Sequence, residues 1–199
     1  MKPDTPLISL FHGKINSKFY LYFQYYKCIF LLIFKCDKVG LIEDIQFENG
    51  IIELEISGEP AVDAPPGSRG FVGVAFRIDS VNYSNYECIY LRPVNGRSDN
   101  QLQRNHSVQY ISHPEYPWYR LRKEHPGVYE SYVDLVPGEW ISIRIVVSGQ
   151  SAQLYVHENF QPTLMINDLK HGERGGQIGL WLHTSTVAHY RNLRITHSD

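Results

Sequence analysis

Arginine and aromatic residues occur together in two strand-like runs, residues 70–77 and 86–93. Each run carries an arginine near its end, Arg77 in the first and Arg92 in the second. Because successive side chains of a strand point to opposite faces, Tyr90 and Arg92 share one face and the aliphatic residues beside them lie on the other. A guanidinium offers five donors in a rigid fork, and an aromatic ring covers apolar surface. This combination suits the binding of a hydroxyl-rich or carboxylate-bearing ligand.

The same parity argument places Arg77, Tyr90, Arg92 and Trp181 on one sheet face, where we expect their side chains to be partly exposed. A single tyrosine or tryptophan is more often an interior residue. Two unpaired guanidiniums, however, are costly to bury, so the set as a whole favours an open polar groove. The sequence therefore predicts eight ligand-binding residues, which are Arg77, Tyr90, Arg92, Asn95, Gln109, Trp118, Trp181 and His183.

Carboxylate pairs with a catalytic spacing are scarce in this chain. Glycoside hydrolysis needs two carboxyl groups about 5–5.5 Å apart for retention, or about 6.5–9.5 Å apart for inversion. Glu53 and Glu55 are spaced to share one strand face, but glutamates are usually exposed and we interpret this pair as a solvated surface. If the protein is a hydrolase or lyase, its acid or base comes from Glu87, Asp99, Glu115 or a histidine of the central segment. The sequence leaves open whether the protein is an enzyme.

Composition and motifs exclude several other classes of function. The formal net charge is -2 and the sequence pI is about 6.5, so the chain lacks the basic footprint of a nucleic-acid-binding protein. A nucleophile elbow, a phosphate-binding loop and a dinucleotide fingerprint are absent from the sequence. We therefore predict no nucleic-acid partner and no nucleotide cofactor.

Cysteines and histidines predict no metal site, because none of them has the spacing of a zinc ligand set. Cys28 and Cys36 could form a disulfide in a secreted chain, and a reduced pair is equally consistent with the sequence. We predict no cofactor, with calcium bound through Asp79, Asn82 or Asp168 as the alternative. Turn formation explains these three residues at least as well.

From Val39 onward, short alternating runs separated by Gly, Pro, Asn and Asp predict β-strands, and residues 95–126 read as a long functional loop. We assign residues 1–38 to an atypical N-terminal segment and residues 39–199 to a β-sandwich. Edge strands or a membrane anchor are the alternatives for the first segment. Its apolar run, residues 28–34, is too short for a transmembrane helix, and no signal-peptide cleavage site follows it.

Four segments resemble the concanavalin A-like lectin/glucanase superfamily. They are Phe-Glu-Asn-Gly-Ile-Ile-Glu at 47–53, Gly-Val-Ala-Phe-Arg at 73–77, residues 86–93, and Gly-Gln-Ile-Gly-Leu-Trp at 176–181. Within the superfamily the chain is most similar to laminin-G-like and family-16-glycosidase-like domains, with the 3-keto-disaccharide hydrolase domain as a further relative. The resemblance implies an all-β jelly-roll sandwich of two curved antiparallel sheets, with ligands on the concave face. The paired-acid strand motif of the true glucanases is absent.

Together these observations predict a carbohydrate- or glycoside-binding module with a polar, aromatic groove. One alternative is a glycoside hydrolase-like enzyme, including the 3-keto-glycoside type. Another is a laminin-G-like protein-interaction module, for which a calcium site at the rim would be the sign. We predict no membrane partner, and the oligomeric state cannot be derived from the sequence.

Overall fold

The computed structural model describes residues 34–36 and 39–198. The remaining N-terminal residues, including Cys28 and all of the apolar run except Phe34, lie outside the described part of the chain. Two antiparallel sheets that do not close into a barrel form an all-β sandwich, which confirms the predicted fold class. One sheet has seven strands in the spatial order β1 (Phe34–Cys36), β2 (Val39–Phe47), β11 (Gly176–Leu182), β4 (Val72–Ile78), β5 (Tyr86–Leu91), β6 (Val108–His113) and β7 (Glu130–Ser131). The other has five, in the order β10 (Leu164–Ile166), β9 (Ser151–Val156), β8 (Ile141–Ser148), β3 (Gly50–Pro60) and β12 (Thr186–His197).

The five-stranded sheet has the alternation expected of a sheet with one face in the core. Ile52, Leu54 and Ile56 of β3 are buried, while Glu53 and Glu55 between them are partly exposed. β8 and β9 alternate in the same way. The hydrophobic pattern read from the sequence therefore fixes which face of this sheet meets the core.

The seven-stranded sheet differs, because its central strands are buried on both faces. Every residue of β4 and β5 is buried. Val72 faces the five-stranded sheet, since a Cβ added to Gly58 of β3 would come within 2.7 Å of Val72 Cγ1. By strand parity, Val74 and Ile89 point inward with Val72, whereas Tyr90 and its alternate neighbours point to the opposite side. We call that opposite side the outer face.

The stretch between β5 and β7, which includes the predicted long loop at residues 95–126, contains regular structure. It holds three short helices, α1 (Pro93–Gly96), α2 (Gln101–Arg104) and α3 (Trp118–Glu124), together with strand β6. Asn100 caps α2 by accepting hydrogen bonds from the backbone N–H groups of Leu102 and Gln103. These elements carry several of the predicted site residues.

Strand β1 precedes Val39, where the sequence predicts the β-sandwich to start. β1 pairs antiparallel with β2 and forms the edge of the seven-stranded sheet. Within the described residues, no helix is long and apolar enough to cross a bilayer.

Candidate functional site

Four of the eight predicted site residues meet on the outer face of the seven-stranded sheet. The Arg92 guanidinium donates from Nη2 to Tyr90 Oη at 2.9 Å and to Gln109 Oε1 at 3.0 Å. The ring of Trp181 stacks on that of Tyr90, with centroids 4.6 Å apart. Tyr90 and Gln109 are cross-strand partners in β5 and β6, so the sheet register itself brings these groups together. We call these four residues the arginine cluster.

The expectation of partial exposure is wrong for the arginine cluster. Tyr90 is 2%, Arg92 5%, Trp181 5% and Gln109 0% exposed. A buried guanidinium is tolerated when its donors and its charge are matched. Arg92 has both, because Nη1 donates to the His106 carbonyl at 2.8 Å and lies 3.9 Å from the Glu130 carboxylate.

Burial also sets the acid–base properties of the arginine cluster. It lowers the pKa of Arg92 and raises the pKa of Tyr90 to about 12. The neighbouring Arg92 charge opposes the rise at Tyr90, and the loss of solvent outweighs it. Tyr90 therefore stays neutral and can both donate and accept hydrogen bonds. The arginine cluster forms a rigid, buried polar layer on the outer face.

A salt-bridge network connects the arginine cluster to the surface. Glu130 of β7 accepts two hydrogen bonds from Arg122, Nε at 2.8 Å and Nη2 at 2.6 Å. His106 Nε2 lies 3.6 Å from the same carboxylate. The Glu130 side chain is 2% exposed, that of His106 18% and that of Arg122 32%, so the network passes from the interior to solvent. Burial lowers the pKa of His106, and Glu130 partly offsets that effect.

Glu130 was missing from the predicted site. It is the cross-strand partner of Gln109, but β7 has only two residues, Glu130 and Ser131. A strand that short has no alternation from which a sequence pattern could be read. The signal that could have found it is indirect, since buried arginines on a sheet face require a carboxylate nearby.

Aromatic rings flank the salt-bridge network at the surface. Trp118 begins α3, is 44% exposed, and its ring lies 4.8 Å from the Arg122 guanidinium carbon. On the other side of the arginine cluster, Phe71 contacts the rings of Tyr90 at 6.0 Å and His183 at 5.2 Å. The predicted residues Trp118 and His183 thus lie at opposite borders of the arginine cluster, and Phe71, which was not predicted, joins His183 to it.

Asn95 is a neighbour of the arginine cluster through the backbone. Its Nδ2 donates to the His106 carbonyl at 3.1 Å, the same oxygen that accepts from Arg92. The Asn95 side chain therefore helps to hold the segment before β6 in place, and it is buried.

Arg77 does not belong with the other seven residues. It is fully buried and donates to the carbonyls of Glu48 at 3.0 and 2.9 Å, Gly172 at 2.9 Å and Gly149 at 2.7 Å. Its left-handed backbone, φ 52°, interrupts the strand alternation on which the prediction relied. Arg77 therefore joins three turns at one end of the sandwich and does not face the arginine cluster.

The acids proposed for a hydrolase are not gathered at the arginine cluster. Glu87 is fully buried and accepts hydrogen bonds from Tyr110 Oη at 2.7 Å and from the backbone N–H of His171 at 2.8 Å. Asp99 and Glu115 are exposed.

The residues named for calcium binding have other partners. Asp79 Oδ1 accepts from the backbone N–H groups of Val81 at 2.8 Å and Asn82 at 2.9 Å, which is turn geometry. Asp168 accepts from Tyr129 Oη at 2.7 Å and from Lys170 Nζ at 2.6 Å. Over residues 34–36 and 39–198, no group of three or more His, Cys, Asp or Glu side chains is arranged to hold a metal ion. Cys88 is a free, buried thiol.

No protein-family model matches this chain, and no curated protein matches it either. Solved structures do match it. One is the carbohydrate-binding module CBM66 from Bacillus subtilis, with a TM-score of 0.52 and 13% identity over 80% of this chain and 82% of that one. A candidate glycosyl hydrolase from Parabacteroides distasonis gives a TM-score of 0.51 and 15% identity over 82% and 85%. A protein of unknown function with a galectin-like fold from Bacillus subtilis gives 0.50 and 14% over 77% and 74%.

These likenesses show the fold of the chain. It has the concanavalin A-like lectin/glucanase fold, as the sequence resemblance predicted. The laminin-G-like alternative and the 3-keto-glycoside alternative stay predictions.

Proposed function

We propose that the protein is a carbohydrate-binding module whose ligand contacts the outer face of the seven-stranded sheet at Trp118, Arg122 and His106. The observation that carries the proposal is the continuity between the buried arginine cluster and this exposed border. A ligand at the border would meet one exposed indole ring and polar groups held in place by Glu130. The fold shared with a carbohydrate-binding module is consistent with this function.

The chemistry of the border suits a sugar. An indole face stacks on the apolar face of a pyranose ring, and a guanidinium donates to hydroxyl oxygens. Arg122 uses Nε and Nη2 for Glu130, and among the described residues Nη1 has no hydrogen-bond partner. A preorganised donor of this kind loses little conformational entropy on binding.

The carboxylates favour binding over hydrolysis. The acid and the base of a glycosidase must be free to contact the scissile bond and the attacking water. Glu130 instead lies against Arg122 and near Arg92. Glu87 already accepts hydrogen bonds from Tyr110 Oη and from the backbone N–H of His171. Neither arrangement provides the free acid and base pair that glycoside hydrolysis needs.

The test is a glycan array probed with the full-length chain, run beside a hydrolysis screen on the same glycans. For a glycan that binds, Trp118→Ala should weaken affinity at least about tenfold, as expected for a stacking residue at a binding hot spot. The melting temperature should hardly change, because Trp118 is 44% exposed. Met165→Ala is the control, since Met165 is 56% exposed on the other sheet.

Arg122→Ala should also weaken binding, and Arg97→Ala is its matched control. Arg97 forms the same two-bond pair with a carboxylate, to Asp134 at 2.8 Å for each bond, and it belongs neither to the arginine cluster nor to its border. Equal affinity in the wild type, Trp118→Ala and Arg122→Ala would show that the ligand binds elsewhere. Product release in the hydrolysis screen would overturn the assignment as a binding module.

A further inference from the structure

A cleft lies on the solvent face of the five-stranded sheet, on the side of the molecule opposite the outer face. Its volume is about 640 Å³, within the roughly 300–1,000 Å³ typical of ligand sites. It is bounded by strands β3, β8, β9 and β12 and by the loop after β9, and its lining includes Glu53, Arg144, Tyr155, Phe160 and Arg194. None of these residues takes part in the arginine cluster or its border.

Sheet register places the polar residues of this cleft in one row. Arg194 pairs with Glu53, Glu53 with Arg144, and Arg144 with Tyr155 across four neighbouring strands. The Arg144 guanidinium carbon lies 4.1 Å from the centroid of the Tyr155 ring. A donor-only group, an acceptor-only group, a second donor and an aromatic ring therefore follow one another across the sheet.

A β-bulge in β12 completes this row. The register shifts between Arg191 and Arg194, and Asn192 within the bulge has a left-handed φ of 58°. The extra residue puts Arg194 on the same face as Arg191, opposite Glu53, where a regular strand would have pointed it to the other face. Bulges re-aim side chains in this way beside binding sites.

Two neighbouring groups of the row, Glu53 and Arg194, have no partner among the described residues. Glu55 is engaged, because Arg191 forms an ion pair with it and Asn192 Nδ2 donates to its Oε1 at 2.9 Å. Within the described part of the chain, by contrast, Glu53 and Arg194 form no hydrogen bond and no ion pair. Their hydrogen-bonding capacity faces the cleft.

The loop after β9 adds an apolar wall to the cleft. His157 and Glu158 are both left-handed, with φ of 57° and 58°, which is costly for residues other than glycine. His157 Nε2 donates to the Asp134 carbonyl at 2.7 Å and so fixes the start of the loop. Phe160, two residues beyond this strained pair, lines the cleft and is 97% exposed.

We infer that this cleft binds a segment of a neutral oligosaccharide. Sugar hydroxyls both donate and accept, so alternating carboxylate and guanidinium groups satisfy them together. The charges around the cleft balance, because Arg144 and Arg194 offset Glu53 and Glu158 while Arg191 offsets Glu55, which gives no net attraction for an acidic or a basic ligand. The phenyl ring of Phe160 supplies a stacking surface. This inference is independent of the proposed function, because it concerns the other sheet.

The test uses the full-length chain and neutral gluco-, manno-, galacto- and fructo-oligosaccharides of about three to six units, with oligouronates of similar length as a second arm. Binding is measured by calorimetry for the wild type, Phe160→Ala, Glu53→Gln and Trp118→Ala. We expect at least one neutral oligosaccharide to lose about tenfold or more in affinity with Phe160→Ala and with Glu53→Gln. The same ligand should keep its affinity for Trp118→Ala.

Glu139→Gln, which removes an exposed carboxylate outside the cleft, is the matched control and should leave affinity unchanged. The inference is overturned if no neutral oligosaccharide depends on both Phe160 and Glu53, or if oligouronates bind the cleft more tightly. Arg194→Gln provides a second variant at an exposed position, and it should reduce affinity for the same ligand. A ligand lost only with Trp118→Ala would support the outer-face site and not this one, so the two proposals fail separately.

Discussion

Tyr90 and Trp181 stack directly above a glycine. Their ring centroids are 4.6 Å apart at an interplanar angle of 25°, and Gly73 of β4 is the cross-strand partner of both residues. A Cβ added to Gly73 would lie 2.6 Å from both Cα and Cβ of Tyr90, closer than packed side chains allow. The nearest atom to that Cβ would be the carbonyl oxygen of Ile89, so the missing side chain at Gly73 permits the close approach of β4 and β5.

Gly73→Ala should therefore destabilise the protein. Overpacking of this kind typically costs about 1–3 kcal/mol, which lowers the melting temperature by several degrees in a chain of this size. Gly175→Ala is the control, because its added Cβ would meet only Glu48 atoms, at 3.8 Å or more. Thermal melts compare the melting temperatures of the two variants. Equal values would show that the sheet accommodates a methyl group at Gly73.

The arginine cluster was predictable in part. Strand parity grouped Tyr90, Arg92 and Trp181, and the predicted residue Gln109 joins them because it is the cross-strand partner of Tyr90. Alternation reveals which residues share a face, but it does not reveal what covers that face. The exposure of the arginine cluster was therefore predicted wrongly.

The placement of Arg77 and Glu130 could not be predicted from the sequence, for two different physical reasons. Arg77 has a left-handed backbone, and parity fails as soon as one residue leaves the β region. Glu130 sits in a two-residue strand, and its pairing with Gln109 is a long-range contact that no local pattern records. By contrast, the alternation of β3 and β8 was long and regular, so the core of the five-stranded sheet was predicted correctly.

Arg77→Lys should destabilise the protein nearly as much as Arg77→Ala. An ammonium group cannot replace a planar fork that reaches the carbonyls of Glu48, Gly149 and Gly172 at once. Hydrogen bonds that involve a charged group contribute about 1.5–3 kcal/mol each, so losing several of them should cost at least about 3 kcal/mol in urea unfolding.

Arg97→Ala controls for the loss of an arginine as such. Its side chain is 64% exposed where it pairs with Asp134, and exposed pairs contribute at most about 1 kcal/mol. If Arg77→Lys retained wild-type stability, the turns would not depend on the guanidinium fork.

Stability should decline in alkali because buried tyrosines hold their protons. Burial raises the pKa of Tyr90 from 10.0 to about 12 and raises the pKa values of Tyr110 and Tyr190 as well. The folded state therefore binds these protons more tightly than the unfolded state does. Their contribution is complete below about pH 10 and is lost as the pH rises towards 12. Urea unfolding at a series of pH values measures this decline, and a flat profile over that interval would contradict the assignment.

Glu130→Gln should change both the stability of the protein and the titration of His106. The Glu130 carboxylate raises the pKa of His106 against the effects of burial, Arg122 and Arg92, so its removal should lower that pKa further. The variant also leaves Arg92 and Arg122 without their anion. Breaking a buried pair costs about 3–5 kcal/mol, and we expect a loss of about 2 kcal/mol in the free energy of unfolding here because the Arg122 side chain is 32% exposed.

NMR titration of the histidine ring protons, assigned with His106→Gln, measures the pKa of His106 in Glu130→Gln. Urea unfolding measures the change in stability. Glu124→Gln, which breaks the exposed pair with Arg120, should leave both nearly unchanged. If the pKa of His106 stayed constant or rose in Glu130→Gln, the Glu130 carboxylate would not act on the imidazole. His106 would then not belong to the salt-bridge network that connects the arginine cluster to the surface.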